Sequence, residues 1–248
     1  MQYFEITLVI LVAGQSFGRS FDENEIKLLR DERGVDSSFK KFLEVNLRQL
    51  LREGNETLGL PIMDPFVKDE SIFQIKQNAI VNADIELTNL VVKELSDYIV
   101  TKAIIGIIGR KITVGFHFPK IQTKGFYKLD GNFIASDENI HVFGDGLFDI
   151  TFKNFYIDSI VKLSVMGEAS IKSIDLNIHL DESKVIATGI FNDEETSPMA
   201  SEVISQFIPQ FIRDNHDQIT SVIVNKLKEI GNSILKGKSF KDLLGLIG

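Results

Sequence analysis

The chain has no cysteine and no tryptophan, and only four tyrosines and five prolines among 248 residues. Without cysteine there is no disulfide framework, and no thiolate to ligate zinc or act as a nucleophile. A chain this long buries a sizeable core without staples, so the absence does not count against independent stability. Basic residues are also scarce: 27 Lys plus Arg stand against 35 Asp plus Glu, for a net charge of −8. An acidic surface repels phosphates and anionic membranes. Nucleic acid is therefore not an expected partner, and the charge suits a monomer that stays dispersed. Beyond the first twenty residues no apolar run reaches the roughly 20 positions a spanning helix needs, so no stable membrane insertion is expected.

Catalytic patterns are missing as well. The sequence contains no Gly-x-Ser-x-Gly, no His-Glu-x-x-His, no Walker sequence and no Gly-x-Gly-x-x-Gly. Gly144-Asp145-Gly146 comes nearest to a phosphate loop, but it leads into a strand pattern and reads as turn geometry. The four histidines, His117, His141, His179 and His216, are isolated, with His117 and His179 on the polar faces of their segments. No metal site, no cofactor and no enzymatic activity are expected. An esterase is the weakest reading, because no nucleophile lies near a base in any recognisable pattern.

Phenylalanine is plentiful by contrast, with 19 copies. It brings apolar area without a polar handle, which suits a dry core or an apolar cavity equally. The segment from Phe4 to Ala13 is nearly all apolar and is followed by Gly14, Ser16 and Gly18. This reads as a secretory leader, residues 1–18, preceding one domain over 19–248. Phe39, Phe42, Leu43, Leu47, Leu50 and Leu51 then mark one face of a helix over Asp36–Glu53. Asp36, Ser37 or Ser38 is available as its N-cap and Gly54 as its stop. Asn55-Glu56-Thr57 is a candidate glycosylation sequon, and Leu58–Phe66, with two prolines, an extended connector.

Farther on the period becomes 2. Alternation runs through Val81–Leu87, Ile112–Phe118, Phe148–Phe152, Val161–Val165 and Ile174–Leu180, the pattern of antiparallel strands with one dry face. Asp130-Gly131 and Asp181-Glu182-Ser183-Lys184 read as hairpin turns. Near Asn154 the apolar phase slips by one, which predicts a bulge. From Pro198 to about Lys236 spacings of 3 and 4 return, giving a helix with Ser197 as N-cap and Pro209 as an expected kink. Straight, that helix would span roughly 58 Å. A compact globule of this size is only about 45 Å across. The helix is therefore broken, or the molecule is elongated with the sheet wrapped along it.

Several stretches together carry a family resemblance. They are Leu58-Gly59-Leu60-Pro61-Ile62-Met63-Asp64-Pro65-Phe66, then Phe116-His117-Phe118-Pro119 with Gly125–Gly131, and Gly144-Asp145-Gly146 leading into Phe148–Phe155. Phe191-Asn192 before the long helix and Phe240–Leu244 after it complete the set. In this order they resemble the insect takeout and haemolymph juvenile-hormone-binding protein family, part of the tubular lipid-binding superfamily. The resemblance implies an α+β fold: a highly curved antiparallel sheet wrapped around a long C-terminal helix, elongated, with an internal apolar tunnel. The chain departs from the family in lacking two cysteines near the first helix, where Phe39 and its neighbours stand.

Periodicity alone favours a packed core for the Phe rows. The resemblance instead implies that Phe116, Phe118, Phe148, Ile150, Phe152, Phe207 and Phe211 line the tunnel. The expected function is an extracellular carrier for a small lipophilic ligand such as a terpenoid or fatty acid. The alternative is a secreted interaction protein of the same fold that recognises a partner or lipid surface without cargo.

Overall fold

The computed structural model describes residues 32–56, 60–75, 81–106, 110–135, 138–164 and 169–237. The leader expected at 1–18 and the Phe240–Leu244 stretch lie outside them. Helix α1 runs α-helical over Glu32–Lys41, passes through π-helical Phe42–Leu47 and resumes over Arg48–Glu53. Six strands follow: β1 (Phe66–Ile75), β2 (Val81–Lys93), β3 (Ile99–Gly106), β4 (Lys111–Ala135), β5 (Glu138–Ser164) and β6 (Ser170–Ala187). Helices α2 (Ser197–Asp214) and α3 (His216–Leu235) complete the described chain. The strands form one open, curved antiparallel sheet in the order β1-β2-β4-β5-β6, with β3 paired to the first part of β4.

Strand length dictates the curvature. β4 and β5 contain 25 and 27 residues. Straight strands of that length would run roughly 80 Å, so the sheet has to twist and bend around its contents. The bend falls on a line across three strands. Inward-facing side chains change phase between Phe118 and Ile121 on β4, between Phe152 and Phe155 on β5, and between Leu180 and Ser183 on β6. Asn154 on this line has a φ of 53°. The pairings Phe118↔Phe155 and Lys120↔Lys153 keep one register across it, as do Phe155↔Leu180 and Lys153↔Glu182. The bulge expected at Asn154 is therefore a rotation of the backbone without an inserted residue. A register shift does occur on β2, between Thr88 and Val91.

Both expected hairpin turns lie inside strands. Asp130 pairs with Asp84 on one side and Phe143 on the other, in the interior of β4. Gly131 is needed for crowding, since a Cβ there would lie 2.6 Å from that of Ala83. Asp181–Lys184 belongs to β6 and sits at the bend line. Gly144-Asp145-Gly146 is also strand rather than turn. Gly144 bridges Ile190, and a side chain at either glycine would collide with the crossing segment Thr188–Ile190. Strands β1 and β3 had no sequence counterpart. The consecutive charges Lys68-Asp69-Glu70 interrupt the apolar alternation of β1, and the apolar run in β3 has no clear period.

The helices differ from expectation at their ends. Asp36 is not an N-cap, because α1 already extends from Glu32. Its carboxylate accepts the Ile105 amide at 2.7 Å and so caps the open side of β3. Gly54, with a φ of 69°, ends the helix as expected. Ser197 is the first residue of α2, with Thr196 in the cap position. The C-terminal helix breaks at Asn215, not at Pro209. Pro209 leaves the Ser205 carbonyl without its intrahelical donor. The Ser183 hydroxyl supplies one instead, at 2.6 Å, so the helix continues through the proline.

Two polar devices fix the helices to the sheet. Along α2 the buried Ser197, Ser201 and Ser205 face the outer edge of β6 and the segment beyond it. Their hydroxyls accept the amides of Ile190 (3.0 Å), Ala187 (3.1 Å) and Val185 (2.8 Å), closing an edge that would otherwise be open. At the other end of the molecule Leu43, Leu47 and Leu51 of α1 enter the core. The turn after β2 is clamped there: Asp64 accepts the amides of Glu94 at 2.9 Å and Ser96 at 2.8 Å, together with the Ser96 hydroxyl. Arg48 donates to the carbonyls of Ser96 at 2.9 Å and Tyr98 at 2.7 Å.

Candidate functional site

Between the concave face of the sheet and α2 lies a cavity of about 570 Å³. Among the described residues 25 line it, and all but Thr123 and Tyr127 have wholly apolar side chains. The wall follows from the alternation: Ile85 and Leu87 on β2, Ile121 to Phe133 on β4, Val142 to Ile157 on β5, and Leu180, Val185 and Ala187 on β6. Ile204 and Ile212 of α2 cover it from the opposite side. Leu90, Val92, Leu95, Met63 and Phe66 complete the wall near α1 and the connector.

The sequence-derived lining residues divide. Phe118, Phe148, Ile150 and Phe152 stand on the wall. Phe116 does not: it is buried beneath α1, edge-on to Tyr98 with ring centroids 5.0 Å apart. Phe207 and Phe211 do not either. Their rings meet at a tilt of 36° with centroids 5.5 Å apart, and Phe211 reaches Phe133 at 6.3 Å. The face of α2 that meets the cavity is the neighbouring one, carrying Ile204 and Ile212 eight residues apart. Their shared face is legible in the 3.6-residue period, whereas aromatic size alone singles out Phe207 and Phe211.

The polar groups of the site are few. The Tyr127 hydroxyl donates to the Thr188 carbonyl at 2.9 Å. Burial, reinforced by the nearby Asp145 and Glu194 charges, pushes its pKa up to about 12, so it stays a neutral donor. Burial likewise raises the pKa of Tyr98, beyond the cavity wall, whose hydroxyl donates to the Leu43 carbonyl. Thr123, between Val92 and Ile150 on the flanking strands, has no hydrogen-bond partner for its hydroxyl among the described residues. No side chain of Lys, Arg, His, Asp or Glu appears in the described wall. The histidines lie elsewhere, paired with Asn154, Asp130, Asp181 and Asp217. No group of His, Asp and Glu among the described residues is arranged to hold a metal ion. No helix among them is long and apolar enough to cross a membrane. Asn55 of the sequon forms a short bridge with Leu60, with N–H to O distances of 2.8 and 2.9 Å.

An open curved sheet closed over an apolar cavity by a C-terminal helix defines a class of lipid-binding architecture. The model of the haemolymph juvenile hormone binding protein family matches residues 6–245. The chain belongs to that family. The crystal structure of Takeout 1 from Epiphyas postvittana is similar, with a TM-score of 0.59 and 18% sequence identity, covering 86% of this chain and 96% of that one. At that identity the likeness concerns the fold. A crystal structure of lipopolysaccharide binding protein aligns with a TM-score of 0.36 and 15% identity, over 82% of this chain and 40% of its own. That likeness is too distant to bear on the ligand. Among curated proteins no relative matches the sequence.

Proposed function

We propose that this protein is a secreted carrier that takes up one small lipophilic molecule in the cavity between sheet and α2. Residues 1–18 act as the leader and 19–248 as one lipid-binding domain, with Asn55 as a glycosylation site. The observation that carries the reading is the wall itself: about 570 Å³ of space with only Thr123 and Tyr127 polar among its 25 described residues. Water is poorly held by such a wall, and an apolar molecule gains by replacing it. About fifteen buried carbons contribute roughly 12 kcal/mol at about 0.8 kcal/mol each. Association costs of about 4 kcal/mol or more leave an affinity near the micromolar range. Phe118, Phe148, Ile150 and Phe152 supply the contact surface. The family's description as a haemolymph hormone-binding protein supports both the carrier role and an extracellular location.

The test is solvent extraction of protein secreted by insect cells, followed by mass spectrometry. A carrier retains close to one equivalent of apolar cargo. Protein that is folded, empty and unable to take up any apolar probe contradicts the reading.

A further inference from the structure

We propose that Thr123 is the residue that positions and selects the ligand, by hydrogen-bonding one neutral oxygen of an otherwise apolar molecule. The inference rests on the carrier reading and goes beyond it to the chemical class of cargo. Thr123 sits on the cavity face of β4 with Val92 opposite it on β2 and Ile150 opposite it on β5. Valine has nearly the same shape, favours strands as strongly and carries no hydroxyl. Placing a hydroxyl on a dry wall without a partner costs free energy that valine would avoid. The one other polar side chain of the described wall, Tyr127, already donates its proton to the Thr188 carbonyl. Thr123 therefore holds the uncommitted side-chain donor of the described wall.

The rest of the described wall bears on the charge of the oxygen. Among its described residues no cationic side chain is present to neutralise a carboxylate. An ionised head group buried beside Thr123 would lose its hydration and gain one neutral hydrogen bond. An ester, ketone, ether or alcohol oxygen loses far less and is matched by a single donor. The cargo class is a neutral lipid with an oxygen part-way along its apolar body, so that burial supplies affinity and Thr123 supplies register.

The experiment compares wild type with Thr123→Val by displacement of a fluorescent apolar probe, using heptadecane, methyl hexadecanoate and hexadecanoic acid as competitors. Wild type should bind the ester more tightly than the hydrocarbon, and more tightly than the acid at a pH where the acid is ionised. Thr123→Val should weaken ester binding roughly two- to thirteenfold, the worth of one hydrogen bond. Hydrocarbon binding should be unchanged or slightly improved. The proposal is overturned if the substitution alters ester and hydrocarbon alike, if it leaves the ester untouched, or if the ionised acid binds as well as the ester. Wild-type protein that binds neither the probe nor any competitor would instead overturn the carrier reading itself. Unchanged far-UV circular dichroism and urea midpoint confirm that the variant is folded.

Discussion

The Ser205 hydroxyl on α2 accepts the Val185 amide of β6 at 2.8 Å while donating to the Ser201 carbonyl at 2.7 Å. Helix and sheet edge are thereby joined by side chain rather than by a further strand. Ser197 repeats the arrangement between the Ile190 amide and the Asp193 carbonyl. Ser201 accepts the Ala187 amide and donates to the Ala187 carbonyl, so the cavity's roof is fixed in register against its wall. Replacing Ser205 with alanine leaves a buried amide without a partner and should cost about 1–3 kcal/mol. Urea denaturation should show a lower midpoint at an unchanged slope. A midpoint equal to that of wild type would mean that the Ser205 contact contributes nothing to holding the helix.

At the opposite end, Asp64→Asn should destabilise by a similar amount. The carboxylate accepts two amides and a hydroxyl through its two oxygens. An asparagine offers one oxygen and turns an NH₂ group toward the remaining donors. A loss of about 1–3 kcal/mol in thermal or urea melts is expected. No loss would show that the turn after β2 is held by Arg48 and by Arg52, which donates to the Ser96 hydroxyl at 2.8 Å and to Asp97 at 2.7 Å.

Alkaline pH should weaken the fold through the partly buried Tyr127 and the buried Tyr98. The pKa of Tyr127 is raised by burial to about 12 in the folded chain, against about 10 when unfolded. Below about pH 10 the stabilisation is fully present. As pH rises through 12 the unfolded chain has released a proton that the folded one retained, and the advantage is lost. Tyr98 shifts in the same direction. Tyr127→Phe should therefore make stability fall less steeply across this interval, read by urea midpoints at successive pH values. An equally steep fall would assign the alkaline transition to other groups.

How far the sequence revealed this architecture depends on what each signal measures. Spacing of apolar residues located α1 and the C-terminal helices, because their inner faces repeat without interruption. The strands were seen only as fragments. Phase slips at Pro119, Asn154 and Asp181 cut long strands into shorter alternations, and local turn chemistry at Asp130-Gly131 mimicked a hairpin. Both features come from neighbours on other strands, such as Ala83 against Gly131, which no local window contains. The same limit applied to the site. Phe118, Phe148, Ile150 and Phe152 could be placed from their strands' dry face. Thr123 could not, because its significance lies in the absence of a hydrogen-bond partner among the described residues around it.

The central claim is that the space beneath α2 is a binding cavity, and two adjacent positions test it most directly. Ala187 lines the cavity, whereas the next residue back, Ile186, faces outward and is 54% exposed. Tryptophan at Ala187 fills the cavity, while tryptophan at Ile186 adds the same ring to the opposite surface. Titration with an apolar fluorescent probe, in variants of unchanged circular dichroism, should give saturable one-to-one binding for wild type and for Ile186→Trp. Ala187→Trp should lose at least about tenfold in affinity, equivalent to about 1.4 kcal/mol. Equal binding by all three proteins, or loss confined to Ile186→Trp, would place the ligand elsewhere and contradict the account.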